Sequence, residues 1–286
     1  SPDTATPARP NAPRWFGRFQ LTRLLGKSER TMAWLVHDPR QGRPLMIVLP
    51  RVQPADAQAL DDWQLAIRQA ARLDHPHLAA IVESGVQDGW PWVAHDPGAA
   101  RMLADRVPGS GMAGSEVAAL GVQLLQGLAF AHEAGLVHHD LQPYLLLLPD
   151  GGPLQLAGLA VATDAPTGAA HGWPSEAALR RAQRAAAEQD VLAVGVLMHG
   201  LLVGQPALEE ADIARVVRRL PPIGRDIVRL PWTLSQPLAE PLRAIVNRAT
   251  DRQERQRYHN ARTLLRALEG WLQVEADAGG GGLALL

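Results

Sequence analysis

The sequence predicts an α+β fold with two lobes, a small β-rich lobe with one helix followed by a larger, mainly helical lobe. Short runs of β-branched and apolar residues, separated by turn residues, dominate the chain up to residue 97. After Pro97–Gly98, apolar residues recur at spacings of three and four, which is typical of amphipathic helices. A length of 286 residues with 47% hydrophobic residues is sufficient for a packed core.

The small lobe is predicted to begin with three consecutive strands. The sequences of these strands are RFQLTRLL, TMAWLVHD and PLMIVLPRV. The turn segments GKSER and PRQGR separate them. Residues 55–73 place apolar side chains on one face, which predicts an amphipathic helix that ends at His75–Pro76. The runs HLAAIVESGV and WPWVAHD, divided by QDG, predict a β-hairpin.

The larger lobe is predicted to be built mainly from helices. They are predicted at residues 115–134, 186–203, 208–220, 237–249 and 260–274. Two short strand-like runs, including LQLAGL, flank the turn PDGGP. The apolar run from Val191 to Val203 is interrupted by His199 and is too short to span a bilayer, so we interpret it as a buried helix.

The two ends of the sequence differ in composition from the lobes. Residues 1–14 are rich in proline and alanine and lack periodicity, so we expect a disordered tail. The two lobes would then occupy residues 15–97 and 98–274. Residues 275–286 contain four consecutive glycines and are expected to form a linker toward a downstream domain that this sequence does not include.

The charge and the cysteine content exclude several classes of function. The net charge is −1, so no overall field favours nucleic acid or an anionic membrane, and we expect neither as a partner. The chain has no cysteine, which excludes disulfides and thiolate metal sites and fits a cytoplasmic protein. Lys27 is the only lysine, so chemistry that requires a lysine must use this residue.

Five short segments occur in order along the chain: LLGKSERTMAWLVHD, LDHPHL, HHDLQP, DVLAVGVL and DRQERQRY. Together they resemble landmarks of a protein kinase domain, most closely the bacterial Ser/Thr kinases of the eukaryotic type. The resemblance extends from Phe16 to Leu272. It implies the bilobal kinase fold, with the helix of residues 55–73 as the αC helix of the N-lobe.

Alignment of the nucleotide-handling motifs shows several departures from the kinase pattern. In the phosphate loop only Gly26 remains, and Ser28 and Thr31 replace the other two glycines. Val48 stands in place of the β3 lysine, and Ala66 in place of its glutamate partner in the αC helix. The metal-binding asparagine and the aspartate of D-F-G correspond to Leu145 and Gly158, neither of which can coordinate Mg²⁺.

The resemblance also assigns residues to the cleft in which kinases bind adenine. Six positions are expected to line it: Lys27, Ala33, Met46, His95, Asp96 and Leu147. Met46 replaces a small alanine and would fill volume, since a thioether adapts to gaps in a core. Pro97 follows Asp96 in the hinge and removes a backbone N–H from a segment that donates hydrogen bonds to adenine.

The residues that hold the kinase fold match better than those that handle nucleotide. Asp140 corresponds to the catalytic aspartate, but Gln142 replaces the lysine that would contact phosphate. His138 and Asp190 are expected to order the catalytic loop, and Arg257 corresponds to a structural arginine of the C-lobe. We therefore expect Asp140 to be a structural remnant.

These departures lead to the expectation of a catalytically inactive pseudokinase that binds neither ATP nor Mg²⁺ and holds no other metal. It would act as a regulatory or protein–protein interaction module in a bacterial signalling protein, with a protein partner or an attached domain, for instance of the HDOD type. One alternative is a small-molecule sensor that uses the degenerate cleft. Another is an active Ser/Thr kinase of unusual layout that takes its lysine from Lys27.

Several surface features are candidates for partner contacts or modification. A basic cluster in the region of the αG helix comprises Arg215, Arg218, Arg219, Arg225 and Arg229. Large aromatic side chains that could anchor a partner are Trp90, Trp92 and Trp173. Hydroxyl residues in the segment that corresponds to the activation segment are Thr163, Thr167 and Ser175.

Overall fold

A computed structural model of the chain describes residues 12–99, 101–162, 175–204, 213, 217, 234, 237–251 and 253–281. Within these ranges the chain forms a small lobe around one antiparallel sheet and a larger lobe of packed helices. The predicted two-lobed α+β architecture is thus confirmed.

The small lobe is built on a six-stranded sheet with the order β1-β2-β3-β4-β6-β5. Its strands are β1 Arg14–Phe16, β2 Phe19–Lys27, β3 Thr31–Asp38, β4 Arg43–Pro50, β5 Ile81–Gln87 and β6 Trp90–His95. The three predicted strands and the hairpin are all present. Strand β1 was not predicted, because three residues are too few for an alternating pattern.

One helix, α1 (Ala57–Ala71), covers one face of this sheet. It begins at Asp56, whose carboxylate accepts a hydrogen bond from the backbone N–H of Ala59 and so satisfies one free donor of the first turn. Trp63, Ile67 and Ala70 are its buried residues, at the spacing of three and four that the sequence shows.

The larger lobe contains four long helices in the described part of the chain and a small three-stranded sheet. The helices are α2 Gly114–Glu133, α3 Glu176–Val203, α4 Glu240–Ala249 and α5 Ala261–Gly281. The strands are β7 Arg101–Met102, β8 Leu146–Leu148 and β9 Gln155–Leu156. Helix α2 packs against α5 and α3, and α3 packs against α4, which buries one continuous apolar core.

Two helix boundaries differ from the predictions by more than one helical turn. Helix α3 begins at Glu176 rather than at residue 186, because the Ser175 hydroxyl caps it by accepting from the Ala178 backbone N–H. Helix α5 continues to Gly281, so the linker expected from residue 275 begins within a helix. Residues 1–11 of the expected tail and most of the helix predicted at 208–220 lie outside the described residues.

Helix α3 is the one described helix whose length and composition would allow it to cross a membrane. The most apolar stretch of this helix is 72% buried inside the protein, and the core helix of a globular domain is buried in the same way.

Two mid-helix glycines provide a matched test of the helix packing. A Cβ added at Gly195 of α3 would lie 2.8 Å from the Ala249 Cβ, whereas one at Gly270 of α5 would meet nothing within 4 Å. We expect Gly195→Ala to lower the unfolding free energy by about 1–3 kcal/mol through overpacking. Gly270→Ala should raise it by up to about 1 kcal/mol through helix propensity. Urea unfolding measures both, and equal effects would contradict the packing.

Candidate functional site

Asp140 lies in the cleft between the lobes and is 2% exposed. One of its carboxylate oxygens accepts hydrogen bonds from two hydroxyls of the small lobe, Ser28 Oγ at 2.7 Å and Thr31 Oγ1 at 2.6 Å. The other oxygen accepts from the side-chain amide of Gln142 at 2.8 Å. The carboxylate is therefore buried but satisfied, which is the condition for a buried charge to be tolerated.

The turn that joins β2 to β3 is held against the catalytic loop by further contacts. Ser28 Oγ accepts from the backbone N–H groups of Arg30 and Thr31, at 3.0 and 3.1 Å, which fixes the turn itself. The guanidinium of Arg30 donates to the carbonyl oxygen of His139 at 2.8 Å. Together with the bonds to Asp140, these contacts close the turn between β2 and β3 over Asp140.

Gly26, the remaining glycine of the loop motif, has a packing role in this state. A Cβ at this position would lie 2.3 Å from the ring of Tyr144. The Tyr144 hydroxyl in turn lies 2.7 Å from Thr31 Oγ1. The glycine thus provides space for a tyrosine of the catalytic loop rather than for a phosphate.

Asp190 of α3 holds the loop that contains His138, His139 and Asp140 against the helical lobe. Its carboxylate accepts from the backbone N–H groups of His138, at 2.8 Å, and His139, at 3.0 Å, and lies 2.8 Å from His132 Nε2. Burial would raise the pKa of Asp190, but the hydrogen bond and charge of His132 and the loop N–H groups hold the pKa below its usual value. His139 has a φ of 73°, a strained conformation for a residue with a side chain, and these bonds hold it.

His138 orders the same loop through its ring. The backbone N–H of Asp140 donates to its Nδ1 at 3.1 Å, so the proton is on Nε2, which donates to the carbonyl of Ala157 at 2.8 Å. Burial lowers the pKa of His138, which keeps the ring neutral in this arrangement. His138 and Asp190 thus occupy the structural positions that the sequence resemblance implies.

The cleft expected to hold adenine is filled by apolar side chains from both lobes, which we call the cleft cluster. Its buried members are Ala33, Met46, Val48, Trp63, Ile67, Val93, Met102, Tyr144, Leu145, Leu147, Ala157 and Val161. Ala33, Met46 and Leu147 are each 0% exposed. In this state the apolar pocket that a small-molecule sensor would need is therefore occupied by the protein's own side chains.

Three positions that differ from the kinase motifs meet inside this cluster. A Cβ on Gly158 would lie 3.3 Å from Val48 Cγ1 and 3.4 Å from the Leu145 methyl groups. Gly158 also has a φ of 76°, which favours glycine. Val48, Leu145 and Gly158, which stand in place of the lysine, the asparagine and the aspartate, thus lie together in one apolar region.

His95 links this contact to the small-lobe sheet and is 1% exposed. The backbone N–H of Gly158 donates to its Nε2 at 3.1 Å, so Nδ1 carries the proton and donates to the carbonyl of Ala80 at 2.9 Å. Burial lowers the pKa of His95 to about 4. The residue at the expected gatekeeper position is thus a neutral bridge between β6 and the segment after β9.

Helix α1 is tied to the larger lobe by a contact that the sequence did not indicate. Ala66, in place of the kinase glutamate, is half-buried and makes no ion pair. Instead, Trp63 Nε1–H donates to the carbonyl oxygen of Val161 at 3.0 Å. The indole of Trp63 can tie α1 to the larger lobe because it combines apolar area with one hydrogen-bond donor.

The remaining predicted site residues lie at the edges of the cleft or outside it. Lys27 is exposed at the end of β2. Asp96 accepts from Arg43 at 2.6 Å and from the Gly98 backbone N–H at 2.9 Å, so its carboxylate orders the hinge. Arg257 is 8% exposed and lies 3.9 Å from Glu254.

The side chains at the two motif positions that bind magnesium in kinases do not fit a magnesium ion. Leu145 and Gly158 have no oxygen-bearing side chain, and Mg²⁺ requires oxygen ligands at short range. Across the described ranges no group of three or more His, Cys, Asp or Glu residues is arranged to hold a metal.

Several predicted surface sites lie outside the described residues. These are the basic cluster at Arg215, Arg218, Arg219, Arg225 and Arg229, together with Thr163, Thr167 and Trp173. Of the others, Ser175 is the cap of α3, Trp92 is buried in the sheet core, and Trp90 is half-buried on its outer face.

The fold is that of a protein kinase domain. The crystal structure of the Mycobacterium tuberculosis PknI kinase domain aligns with a TM-score of 0.57 at 21% identity, covering 91% of this chain and 98% of that chain. A variant of the same domain aligns with a TM-score of 0.58 at 20% identity, covering 92% of this chain and 99% of that chain. The chain is a protein kinase-like domain with a bilobal fold, as the sequence resemblance implied. No protein-family model matches it.

Curated relatives are bacterial serine/threonine-protein kinases. PknF of Mycobacterium tuberculosis is 27% identical over 281 residues, covering 88% of this chain and 56% of that protein. PrkC of Bacillus subtilis is 23% identical over 258 residues, covering 86% of this chain and 39% of that protein. PknL of Mycobacterium tuberculosis is 31% identical over 197 residues, covering 64% of this chain and 49% of that protein. The chain thus spans about half the length of these relatives, or less.

Two expectations from the sequence are wrong in the light of these relatives. The relatives are named serine/threonine-protein kinases, which contradicts the expectation that the chain is not an enzyme. Kinases of this class use ATP and Mg²⁺, which contradicts the expectation that neither is bound. Both expectations rested on several altered motif positions at once, and the rate effects of residues that act as a unit are far from additive.

The buried neutral histidine predicts a pH dependence of stability. Because the pKa of His95 falls from 6.5 to about 4 on folding, its contribution is full above the unfolded pKa and is lost as the pH falls toward 4. The shift corresponds to roughly 3 kcal/mol at that pH. In urea unfolding, the His95→Gln variant should have a lower free energy of unfolding at neutral pH. Its free energy of unfolding should also decrease less steeply as the pH falls. The exposed control His259→Gln should retain the full slope; a parallel profile for His95→Gln would contradict the assignment.

Proposed function

We propose that the chain is a Ser/Thr kinase-type signalling domain that transfers a phosphoryl group to a hydroxyl of a protein substrate, with Asp140 holding that hydroxyl. One observation carries the proposal: Asp140 already accepts hydrogen bonds from a serine and a threonine hydroxyl, at 2.7 and 2.6 Å. A catalytic carboxylate must lie within about 2.6–3.2 Å of the hydroxyl that it orients. Ser28 and Thr31 therefore serve as internal stand-ins for a substrate side chain.

In this proposal the described structure is the closed state of the domain. A substrate hydroxyl reaches Asp140 only after the turn containing Ser28 and Thr31 moves away. The hydrogen bond from Arg30 to the carbonyl of His139 must break in the same movement. Asp140 then accepts the hydrogen bond, and finally the proton, of the incoming hydroxyl, while ATP supplies the phosphoryl group.

Lys27 is the residue proposed to supply positive charge toward the phosphates. It is the only lysine of the chain, and it directly precedes Ser28 in the turn that must open. Val48 and Leu145 contribute neither charge nor a metal ligand. Because each missing preorganised group commonly lowers the rate by about 10²- to 10³-fold, we expect slow transfer.

The full chain, incubated with ATP, Mg²⁺ and a generic protein substrate, should incorporate phosphate slowly. Asp140→Asn should abolish incorporation, because an amide cannot accept the proton of the hydroxyl. Asp61→Asn, an exposed acid on α1, is the matched control and should leave the rate unchanged. Incorporation that is absent, or that does not depend on Asp140, would refute the proposal.

A second variant tests whether the internal hydroxyls restrain the site. Thr31→Val keeps the shape of the side chain but removes its hydrogen bonds to Asp140 and Tyr144. We expect the unfolding free energy to fall by about 1–3 kcal/mol and the transfer rate to rise. Thr22→Val, an exposed threonine on β2 whose hydroxyl donates to the carbonyl of Leu35, is the control. A Thr31→Val chain of unchanged or lower rate would argue against the closed-state interpretation.

A second candidate function is regulation through contact with another protein, and the Trp63–Val161 bond favours it. This bond and the cleft cluster join the lobes, so a partner that binds one lobe can alter the position of the other. Partners cross-linked to the chain in its native host should remain with Asp140→Asn if contact alone carries the signal. Loss of the partners with Asp140→Asn but not with Asp61→Asn would tie them to phosphoryl transfer instead.

A further inference from the structure

An apolar groove lies on the face of the small-lobe sheet that is turned away from the cleft, and we call it the outer groove. The aromatic rings of Phe16, Trp34 and Trp90 are among the side chains that line it, and its volume is about 220 Å³. Because side chains alternate along a strand, Met32 and Trp34 point away from Ala33 of the cleft cluster. The outer groove is therefore separate from the candidate active site.

The size and the lining of the outer groove suit a small aromatic molecule. Ile47 and Leu49 of β4 line it and are 1% and 9% exposed, so the groove reaches the apolar core of this side of the sheet. Small-molecule sites are typically concave and lined by apolar and aromatic side chains, with a few polar groups that fix the orientation of the ligand. An apolar cavity of about 150 Å³ already binds benzene.

Two residues of the groove carry hydrogen-bond donors whose present acceptors are weaker than a carboxylate. The indole N–H of Trp34 donates to the sulfur of Met32 at 2.8 Å, and thioether sulfur is a poor acceptor. Arg51, the one charged residue among those that line the groove, donates from its guanidinium to the neutral carbonyl of Ser28 at 2.8 Å. Charge-assisted hydrogen bonds are roughly twice as strong as neutral ones, so these donors favour an anionic group on the ligand.

Arg51 also connects the outer groove to the turn between β2 and β3. Its guanidinium holds the carbonyl of Ser28, and its backbone N–H donates to the carbonyl of Arg30 at 2.9 Å. The Ser28 hydroxyl donates in turn to the carboxylate of Asp140 at 2.7 Å. A ligand that engages the guanidinium of Arg51 therefore removes one of the bonds that hold the turn over Asp140.

We propose that the outer groove binds a small aromatic carboxylate, with its ring against Trp34 and Trp90 and its carboxylate on Arg51. The carboxylate competes with the Ser28 carbonyl for the guanidinium, so the ligand binds the open state of the turn more tightly than the closed one and shifts the chain toward it. The ligand is thereby an activator of phosphoryl transfer. This regulatory role rests on the proposed function, whereas the binding itself does not.

Binding is tested with 1-naphthoate as the probe, and 1-naphthamide, which has the same rings and no charge, is its control. Calorimetric titration of the full chain should show that naphthoate binds about tenfold more tightly than naphthamide, because only naphthoate forms a charge-assisted bond. Trp90→Ala should weaken the binding of both by about tenfold or more. Trp15→Ala, an exposed tryptophan of β1 that does not line the groove, should leave both unchanged.

A second variant leaves the aromatic lining intact. Arg51→Gln should abolish the preference for naphthoate over naphthamide, because it removes the charge that the carboxylate engages. Arg68→Gln, at an exposed arginine of α1, is the matched control and should retain the preference. Absence of naphthoate binding, or binding that depends on neither Trp90 nor Arg51, would overturn the site.

The coupling to the turn is measured without catalysis, by hydrogen exchange of the Thr31 backbone amide. Thr31 is 0% exposed, so we expect its amide to exchange when the turn opens. Saturating naphthoate should accelerate this exchange several-fold in the unmodified chain and not in Arg51→Gln, while the buried amide of Ile67 in α1 should be unaffected. Naphthoate that binds without accelerating the exchange would overturn the coupling.

Phosphate incorporation distinguishes this proposal from the proposed function. With ATP and Mg²⁺ present, naphthoate should raise the incorporation that depends on Asp140, in parallel with the exchange of the Thr31 amide. Absence of incorporation together with naphthoate binding and accelerated exchange would refute the proposed function and support the groove and its coupling. Incorporation that depends on Asp140 and does not respond to bound naphthoate would overturn the regulatory role alone.

Discussion

The buried carboxylate of Asp190 is the group on which the site depends. It accepts hydrogen bonds from the backbone of His138 and His139 and so holds the catalytic loop, including the strained backbone of His139, against the helical lobe. Asp140, two residues after His138, is presented to the small lobe only because this loop is fixed. A loop with free backbone donors at this depth would be unstable, since buried N–H groups without partners are costly.

A second constraint is that the altered motif positions lie against one another. Val48 and Leu145 are buried in the cleft cluster, and a Cβ added at Gly158 would contact both, so a single remaining charge here would be buried without its partner and would cost several kcal/mol. The apolar contact joins the lobes where kinases hold nucleotide. Any phosphoryl transfer must therefore begin with an opening of the cleft, which is consistent with the slow rate that we expect.

The kinase fold and the kinase relatives have to be reconciled with this closed cleft. The fold is that of a protein kinase domain, the chain is similar in sequence to bacterial serine/threonine-protein kinases, and Asp140 accepts hydrogen bonds from two hydroxyls at 2.7 and 2.6 Å. The same hydroxyls restrain Asp140, so the contact that supports the proposed catalysis would also limit it. Because the restraint combines a few hydrogen bonds to a charged group, of about 1.5–3 kcal/mol each, with the apolar contacts of the cleft cluster, release requires a ligand that binds the open state more tightly than the closed one.

The sequence by itself determined the two-lobed fold, the strands β2 to β4 and the positions of the altered motif residues, because local periodicity and fixed motif spacing carry this information. Only the tertiary structure decided what those residues touch. Ser28 and Thr31 reach Asp140 across 112 and 109 residues of sequence, and Trp63 reaches Val161 across 98. Such contacts depend on how the two lobes pack, and no local pattern in the chain encodes that arrangement.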